Sequence, residues 1–489
     1  MTRDRTFLET VSPIDGSVYV RRDLAGAAEI ERALAAAVTA QRGWRDTPLS
    51  EHIAAVQRMV EILNEQADDI ALELAWQMGR PVRFGPAEIR GGHAERARAM
   101  AALAPDALTD VEVRWRDGRP VHAPVPEGAP ATAGAAADDP TVRRLRMIPH
   151  GVVLVLAPWN YPFLTAVNAV VPALLAGNAV LLKHSDQTPL AAERMQNALL
   201  AAGVPRGVVQ ALHMSHATVA DVVRDLRVGY VHFTGSVPGG RAVKRAAAER
   251  FIEVGLELGG KDPAYVRADA DLGHAAASLA DGAYFNSGQS CCGIERIYVH
   301  ADVFEAFVER FVAEARQLRL GDPRDPATTL GPMARASGAA LAREHVAEAV
   351  AAGARTLLDP AEFPSAREGT AYMAPQALVG VAPEMRVMRE ETFGPVVGIA
   401  PVDGDDDAVA AMNDSDYGLT ASIWTRDLDA ALRLGGRLET GTCYANRCDY
   451  LDPLLAWTGV KDSGRGVSLS RLGFAPFTRP MSLRLQAPE

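Results

Sequence analysis

Apolar and polar positions change their period from block to block along the chain, and each period predicts an element. Between 23 and 103, apolar residues recur at three- and four-residue spacing, as in Ile53, Val56, Val60, Leu63, Ile70 and Leu74. This predicts helices over 27–38 and 52–78, with Asp23 and Ser50 as caps and Gly79-Arg80-Pro81 stopping the second. The pattern is then lost. Residues 118–140 are rich in Pro, Ala and Gly with almost no large apolar side chain, which predicts an exposed excursion. From Thr141 to Ile148 basic and apolar residues alternate (Val142, Leu145, Met147), as in an exposed strand.

A regular alternation follows. Apolar runs predict strands at 152–156, 179–182, 208–212, 230–233 and 251–256, separated by helices at 166–175, 190–202, 216–226 and 239–249. Such a succession specifies a parallel sheet covered on both faces, with ligands held off the C-terminal strand ends where strand order reverses. A second block places helices at 272–285, 304–318, 338–352, 406–412 and 428–435 and strands at 296–299 and 396–401. The fold class is therefore α/β. A chain of 489 residues exceeds what one core supports, so two or more domains are expected.

Composition changes this picture little. Hydrophobic residues at 48% and charged residues at 23% are ordinary for a globular protein. A net charge of -11 argues against binding nucleic acid through its phosphates. The N-terminus is charged and has no apolar core, and the apolar runs are short or broken by Pro, Gly and Asn, so no secretory signal or membrane span is expected. The protein is expected in the cytoplasm. Four cysteines with no C-x-x-C pair make neither a disulfide framework nor a zinc site.

Candidate chemistry gathers around Tyr284 to Glu295, Y-F-N-S-G-Q-S-C-C-G-I-E. Cys291 and Cys292 sit in a predicted loop, where a nucleophile can be presented. A free thiol is only a few per cent thiolate at neutral pH and needs activation. Chemistry alone does not choose between the two, and a buried structural cysteine is the plainer reading of either. Glu257, in L-E-L-G-G-K (Leu256–Lys261), follows a buried strand and precedes two glycines that allow close backbone approach. It reads as a base or as a turn carboxylate. Asn160, in A-P-W-N-Y-P (Ala157–Pro162), is a candidate oxyanion donor or a turn residue. Gly235 and Ser236 of F-T-G-S lead from a strand into a helix whose first turn holds Gly239 and Gly240, a setting for pyrophosphate. There is no G-x-G-x-x-G here. Lys183 and Asp186 follow another strand, where an acidic group bonds a ribose hydroxyl.

Taken in order, these motifs resemble the aldehyde dehydrogenase superfamily over nearly the whole chain. The resemblance adds Q-M-G-R-P (77–81), E-T-F-G-P (Glu391–Pro395), Asn413 with Tyr417-Gly418-Leu419, and G-V-K-D-S-G-R-G (Gly459–Gly466). It implies a Rossmann-type cofactor domain (1–115 and 151–259), an α/β catalytic domain (260–465) and a small β oligomerisation arm (116–150 and 478–489), in a homodimer or homotetramer. The family pattern G-Q-x-C matches Cys291 to the nucleophile, Glu257 to the general base and Asn160 to the oxyanion donor. Trp159, Lys183, Asp186, Gly235, Ser236, Glu391 and Phe393 match cofactor-contacting positions. The implied reaction is aldehyde oxidation with NAD(P). Cys291 forms a thiohemiacetal, hydride leaves to the nicotinamide, and Glu257 activates the water that hydrolyses the thioester. Readings to be weighed against it are a CoA-acylating enzyme and a non-catalytic member of the fold.

Some positions depart from the family pattern. A lysine frequent three residues before the proline matched by Pro172 is Ala169, which removes a proton relay through it. The common K-P-S-E is K-H-S-D (Lys183–Asp186), and the carboxylate of Asp186 predicts NAD over NADP by repelling a 2′-phosphate. The helix after F-T-G-S lacks its usual acidic residue. Positions resembling the substrate tunnel are Tyr161, Phe163, Cys448, Tyr450 and Trp457, with Arg447 and Asp449 at the rim. This apolar, aromatic lining suits an aliphatic or aromatic aldehyde better than a charged one.

Overall fold

The computed structural model describes residues 6–116, 119–125, 129 and 141–486. Two parallel-stranded sheets dominate it. The first runs in the order Gly464–Arg465, Glu253–Glu257, Val228–Thr234, Val152–Ala157, Ala179–His184, Val209–Ala211. All its pairings are parallel except that of the short Gly464–Arg465 strand. Strands Val152–Ala157 and Ala179–His184 are buried at every position, which is why they read as continuous apolar runs rather than alternations. From Val152–Ala157 the chain steps outward twice and then returns on the other side with Val228–Thr234. Strand order thus reverses between these two strands, whose C-terminal ends carry Pro158-Trp159-Asn160 and Gly235-Ser236.

The second sheet has the order Arg355–Thr356, Gln376–Val379, Val396–Val402, Ile294–His300, Asp262–Val266, Thr420–Trp424, Thr442–Ala445. Only its first strand pairs antiparallel. The strands at 262–266, 376–379, 420–424 and 442–445 were absent from the sequence reading. They are four or five residues long and carry Asp, Pro, Gln, Thr or Ser, so no long apolar run announces them. The segment L-E-L-G-G-K joins the sheets: Glu257 closes a strand of the first and Asp262 opens an inner strand of the second.

The N-terminal helices differ in detail from their predicted limits. The first spans Ala27–Arg45 and starts after Gly26, while Asp23 ends the strand Val18–Asp23 and caps nothing. The stretch 52–78 forms two helices, Leu49–Glu65 and Ala67–Met78, separated at Gln66. Ser50 lies inside the first turn after Pro48, so it does not cap either. Gly79, at φ 83°, ends the second helix in the left-handed conformation that favours glycine.

A third, antiparallel sheet has the order Thr478–Leu485, Val142–Pro149, Val111–Arg116, Arg119–Pro124. The excursion predicted over 118–140 therefore begins later: Arg119–Pro124 is an edge strand, where Pro120 and Pro124 cost no ladder bond on the open side. Most of the remainder, 126–128 and 130–140, lies outside the described residues. Among the described residues no helix is long and apolar enough to cross a membrane.

Candidate active site

The cysteine pair sits between the helix Leu272–Tyr284 and the inner strand Ile294–His300. The approach to it is an unusual backbone: Asn286, Ser287 and Gly288 all have positive φ (53°, 57° and 68°). Side-chain bonds hold this turn. Ser287 Oγ donates to the Gly331 carbonyl at 2.7 Å, and Asn286 Nδ2 donates to the carbonyls of Asn160 (3.1 Å) and Gln289 (3.2 Å). The two thiols end in different surroundings. Cys291 is partly exposed, whereas Cys292 is buried. Cys292 Sγ donates to Asp449 Oδ1 at 2.9 Å, beside Ser290 Oγ, which reaches the same oxygen at 3.2 Å. The neighbouring Cys291, burial and the Asp449 charge push the Cys292 thiol well above its ordinary pKa, so it stays protonated.

Asn160 lies against this loop. Its Nδ2 donates to the Gln289 carbonyl at 3.2 Å, two residues before Cys291, and leaves a second N–H. Its own carbonyl accepts from Arg80 and Asn286. Arg80 forms a buried ion pair with Glu88, and Glu88 Oε1 takes the N–H groups of Phe163 (2.9 Å) and Leu164 (3.3 Å) at the start of the helix Pro162–Leu175. A buried charge pair thus clamps the turn that carries Asn160.

Glu257 hangs from the end of its strand. The hairpin segment Gly464–Arg465 pairs beside it, and Ser463 donates from Oγ to the Gly259 carbonyl at 2.7 Å. The Glu257 carboxylate accepts a short hydrogen bond from Ser468 Oγ, with His232 Nε2 4.0 Å away. Burial lowers the His232 pKa, so it faces Glu257 as a neutral ring. Ser468 itself is fixed by two backbone bonds of 2.8 Å with Trp457. A Cβ on Gly260 would run into the Cys291 carbonyl, and one on Gly259 into the Glu391 carboxylate. The glycine pair after Glu257 is therefore required by close approach to both neighbours.

Around the strand-order reversal lie the positions matched to cofactor contacts. Ser236 caps the helix Val237–Ala247 through Gly239 N, leaving that helix N-terminus facing the switch point. Lys183 Nζ donates to the His184 carbonyl (2.9 Å) and pairs with Asp186 Oδ1 at 3.2 Å. Trp159 and Phe393 meet edge to face at 5.6 Å, and Phe393 holds φ at 51°. Glu391 Oε1 accepts from Gly260 N at 3.0 Å. Burial, then the nearby Glu295, push its carboxyl up to about 8. Glu295 in turn takes the N–H groups of Thr392 and Phe393 (2.9–3.2 Å) and pairs with the fully buried Lys261.

The model of the aldehyde dehydrogenase family matches residues 1–483. The chain belongs to the aldehyde dehydrogenase family. It is 33% identical over 476 residues to the succinate semialdehyde dehydrogenase [NAD(P)+] Sad of Escherichia coli, covering 96% of each chain. It is 34% identical over 470 residues to an aldehyde dehydrogenase of Paenarthrobacter nicotinovorans, covering 96% of this chain and 98% of that one. Among solved structures, succinic semialdehyde dehydrogenase from Streptococcus pyogenes with NADP+ superposes with a TM-score of 0.89 at 26% identity, over 98% of this chain and 100% of that one. An NAD-dependent aldehyde dehydrogenase from Sinorhizobium meliloti gives 0.88 at 30% identity, over 99% and 92%. The protein is thus an NAD(P)-dependent aldehyde dehydrogenase.

The dehydrogenase's expected tunnel residues do not all share one wall. Phe163 is 1% exposed and packs edge-on to His93 in the core between helices. Trp457 is also buried, at 4%. Tyr161 lies under the Arg80 guanidinium, 4.5 Å from its ring centre. Cys448 and Tyr450 belong to one loop, and Tyr450 Oη donates to Glu95 Oε1 at 3.1 Å. Arg447 stacks outside on the Tyr450 ring at 3.8 Å. Asp449, expected at the rim, instead turns inward to Ser290 and Cys292, held by a positive φ of 49°. Burial raises its carboxyl to about 7. Sequence reading missed Glu88, Glu295 and Ser468. Their only sequence signal is a charge or hydroxyl of a kind that is common on solvated faces.

Proposed function

We propose that Cys291 is the nucleophile, Asn160 the oxyanion donor and Glu257 the base of a non-acylating aldehyde dehydrogenase. The observation that carries this is their meeting at the joint between the two sheets. Asn160 bonds to the loop that presents Cys291, and Gly260, three residues after Glu257, lies so close to the Cys291 carbonyl that a Cβ there would collide with it. The Cys291 thiolate adds to the aldehyde carbon, and the free Asn160 N–H donates to the oxygen as it gains charge. The residues at the reversal of strand order fit NAD(P): Ser236 and its helix toward the pyrophosphate, Lys183 and Asp186 toward the adenosine ribose, and Glu391 and Phe393 toward the nicotinamide end. When bound, NAD(P) supplies the hydride acceptor. The thioester left on Cys291 is then hydrolysed by water that Glu257 deprotonates, dividing one difficult oxidation into two easier steps.

Glu257 as a base for water speaks against transfer of the acyl group to CoA. Asp186 favours NAD over NADP. The substrate is an aliphatic or aromatic aldehyde; relatives at 32–33% identity are named for succinate semialdehyde. The same reading divides the chain into a cofactor domain (1–115 and 151–259), a catalytic domain (260–465) and an oligomerisation arm (116–150 and 478–489), in a cytoplasmic homodimer or homotetramer. NADH formation across an aldehyde panel without CoA tests the activity. Turnover that requires CoA, or none on any aldehyde, would refute it.

A further inference from the structure

A row of polar side chains crosses one face of the first sheet and ends at Glu257. On the strand Val228–Thr234 the residues Tyr230, His232 and Thr234 share a face, and on Glu253–Glu257 so do Glu253, Gly255 and Glu257. The parallel register sets Tyr230 opposite Glu253, His232 opposite Gly255 and Thr234 opposite Glu257. The setting is otherwise apolar. The strand on the far side brings the wholly buried Val153 and Val155 level with Tyr230 and His232, and the Phe477 ring covers these two at 5.2 and 6.1 Å. The row starts in solvent, where exposed Glu253 pairs with Arg465. Tyr230 is 2% and His232 4% exposed, and His232 Nε2 stands 4.0 Å from Glu257 Oε1, with Thr234 Oγ1 at 3.4 Å. Gly255 leaves room between them: a Cβ there would meet both Tyr230 Oη and His232 Nδ1, so hydroxyl and ring nitrogen converge above this glycine. Polar groups cost free energy in such a core, and apolar side chains would fill it without that cost. Burial keeps His232 a neutral ring, with an N–H on one nitrogen and a lone pair on the other. Ser468, the other side-chain partner of Glu257 among the described residues, spends its one proton on the carboxylate. The Glu257 side chain is 13% exposed, which gives it little contact with solvent through which to shed a proton.

We propose that His232 and Tyr230 carry the proton from Glu257 to the surface beside Glu253, and so return the base to its ionised form after each turnover. This rests on the assignment of Glu257 as the base. Water loses a proton to the Glu257 carboxylate as its oxygen bonds to the thioester carbon, and the C–S bond then breaks to release the Cys291 thiolate. The Glu257 carboxyl passes the proton to His232 Nε2, and the ring gives up its Nδ1 proton to Tyr230 Oη. The tyrosine passes its own proton outward to solvent at the Glu253 end of the row. One proton has left Glu257, one has reached water, and each group ends with the charge it began with.

The test isolates thioester hydrolysis with p-nitrophenyl acetate, which acylates Cys291 without a cofactor and releases p-nitrophenol in a burst before the steady phase. His232→Gln fills the space and hydrogen-bonds but passes no proton through, and Tyr230→Phe loses one buried hydroxyl. Both keep the burst, and the steady rate falls by about 10²-fold in the first and about tenfold in the second. His232→Ala falls as far as His232→Gln and recovers as imidazole is added, which the loss of a purely structural side chain would not allow. A wild-type steady rate in His232→Gln or Tyr230→Phe would overturn the proposal. So would an absent burst in either folded variant, which would assign the row to shaping the cysteine loop, or a His232→Ala that ignores imidazole. Hydrolysis at the wild-type rate in Glu257→Gln, or a wild type with neither burst nor NADH formation, would instead refute the parent assignment.

Discussion

Glu295 offers the sharpest test of how the cofactor end of the site is built. Its carboxylate is 3% exposed, pairs with the fully buried Lys261, and takes the backbone N–H groups of Thr392 and Phe393. Glu295→Gln removes the charge and leaves Lys261 without an anion. Breaking a buried pair from one side costs about 3–5 kcal/mol. Unfolding entropy of about 2.1 cal/mol/K per residue gives about 1 kcal/mol/K for 489 residues treated as one cooperative unit, so Tm should fall by about 3–5 °C. Burial already lowers the Lys261 pKa, and without Glu295 it falls further. Unfolded lysine keeps its proton to about pH 10.4, so the variant takes up a proton on unfolding once the folded lysine has lost it. Its Tm deficit should therefore shrink as pH rises from 7 toward 10. The loss of one acceptor also loosens Thr392 and Phe393, and KM for NAD should rise. Thermal melts at three pH values and NAD saturation curves measure both effects. A Tm within 1 °C of wild type together with an unchanged KM for NAD would refute the reasoning, because the pair would then be neither buried nor anchoring.

Other changes separate the catalytic roles. Cys291→Ser should abolish NADH formation while Cys292→Ser keeps most of it; the reverse result in an aldehyde panel would shift the nucleophile by one residue. Glu257→Gln should slow steady turnover by about 10²–10⁴-fold and leave an initial burst of NADH, because thioester formation precedes the step that needs the base; stopped-flow absorbance shows whether the burst survives. Asn160→Ala should reduce kcat by about 10²–10³-fold with little change in KM for NAD. Asp186→Ser should raise kcat/KM for NADP relative to NAD by about ten- to hundredfold, as removal of a charge near the 2′-phosphate implies; an unchanged ratio would mean that Asp186, paired with Lys183, does not face that phosphate.

The chain by itself determined the architecture and the order of the motifs. Strands buried on both faces, such as Val152–Ala157 and Ala179–His184, must be apolar throughout, and that property is local enough to read from the chain. The motifs around Asn160, Glu257, Cys291 and Glu391 were legible through their ordered resemblance to the aldehyde dehydrogenase family; the residues around Asn160, Glu257 and Cys291 taken singly left a turn or structural role open. Short strands such as Thr420–Trp424 were not legible, because their place is set by neighbours far away in the chain. Only the tertiary structure decided what surrounds each reactive group. Two adjacent cysteines are equivalent in composition, yet the turn through Asn286, Ser287 and Gly288 leaves one partly exposed and buries the other on Asp449. The pairs Arg80–Glu88 and Lys261–Glu295 and the Ser468 bond to Glu257 join residues that are up to 211 apart in sequence. A charged side chain reads the same on a solvated face and in an interior. Its energetic role is set by desolvation and by partners, and both exist only once distant segments have packed.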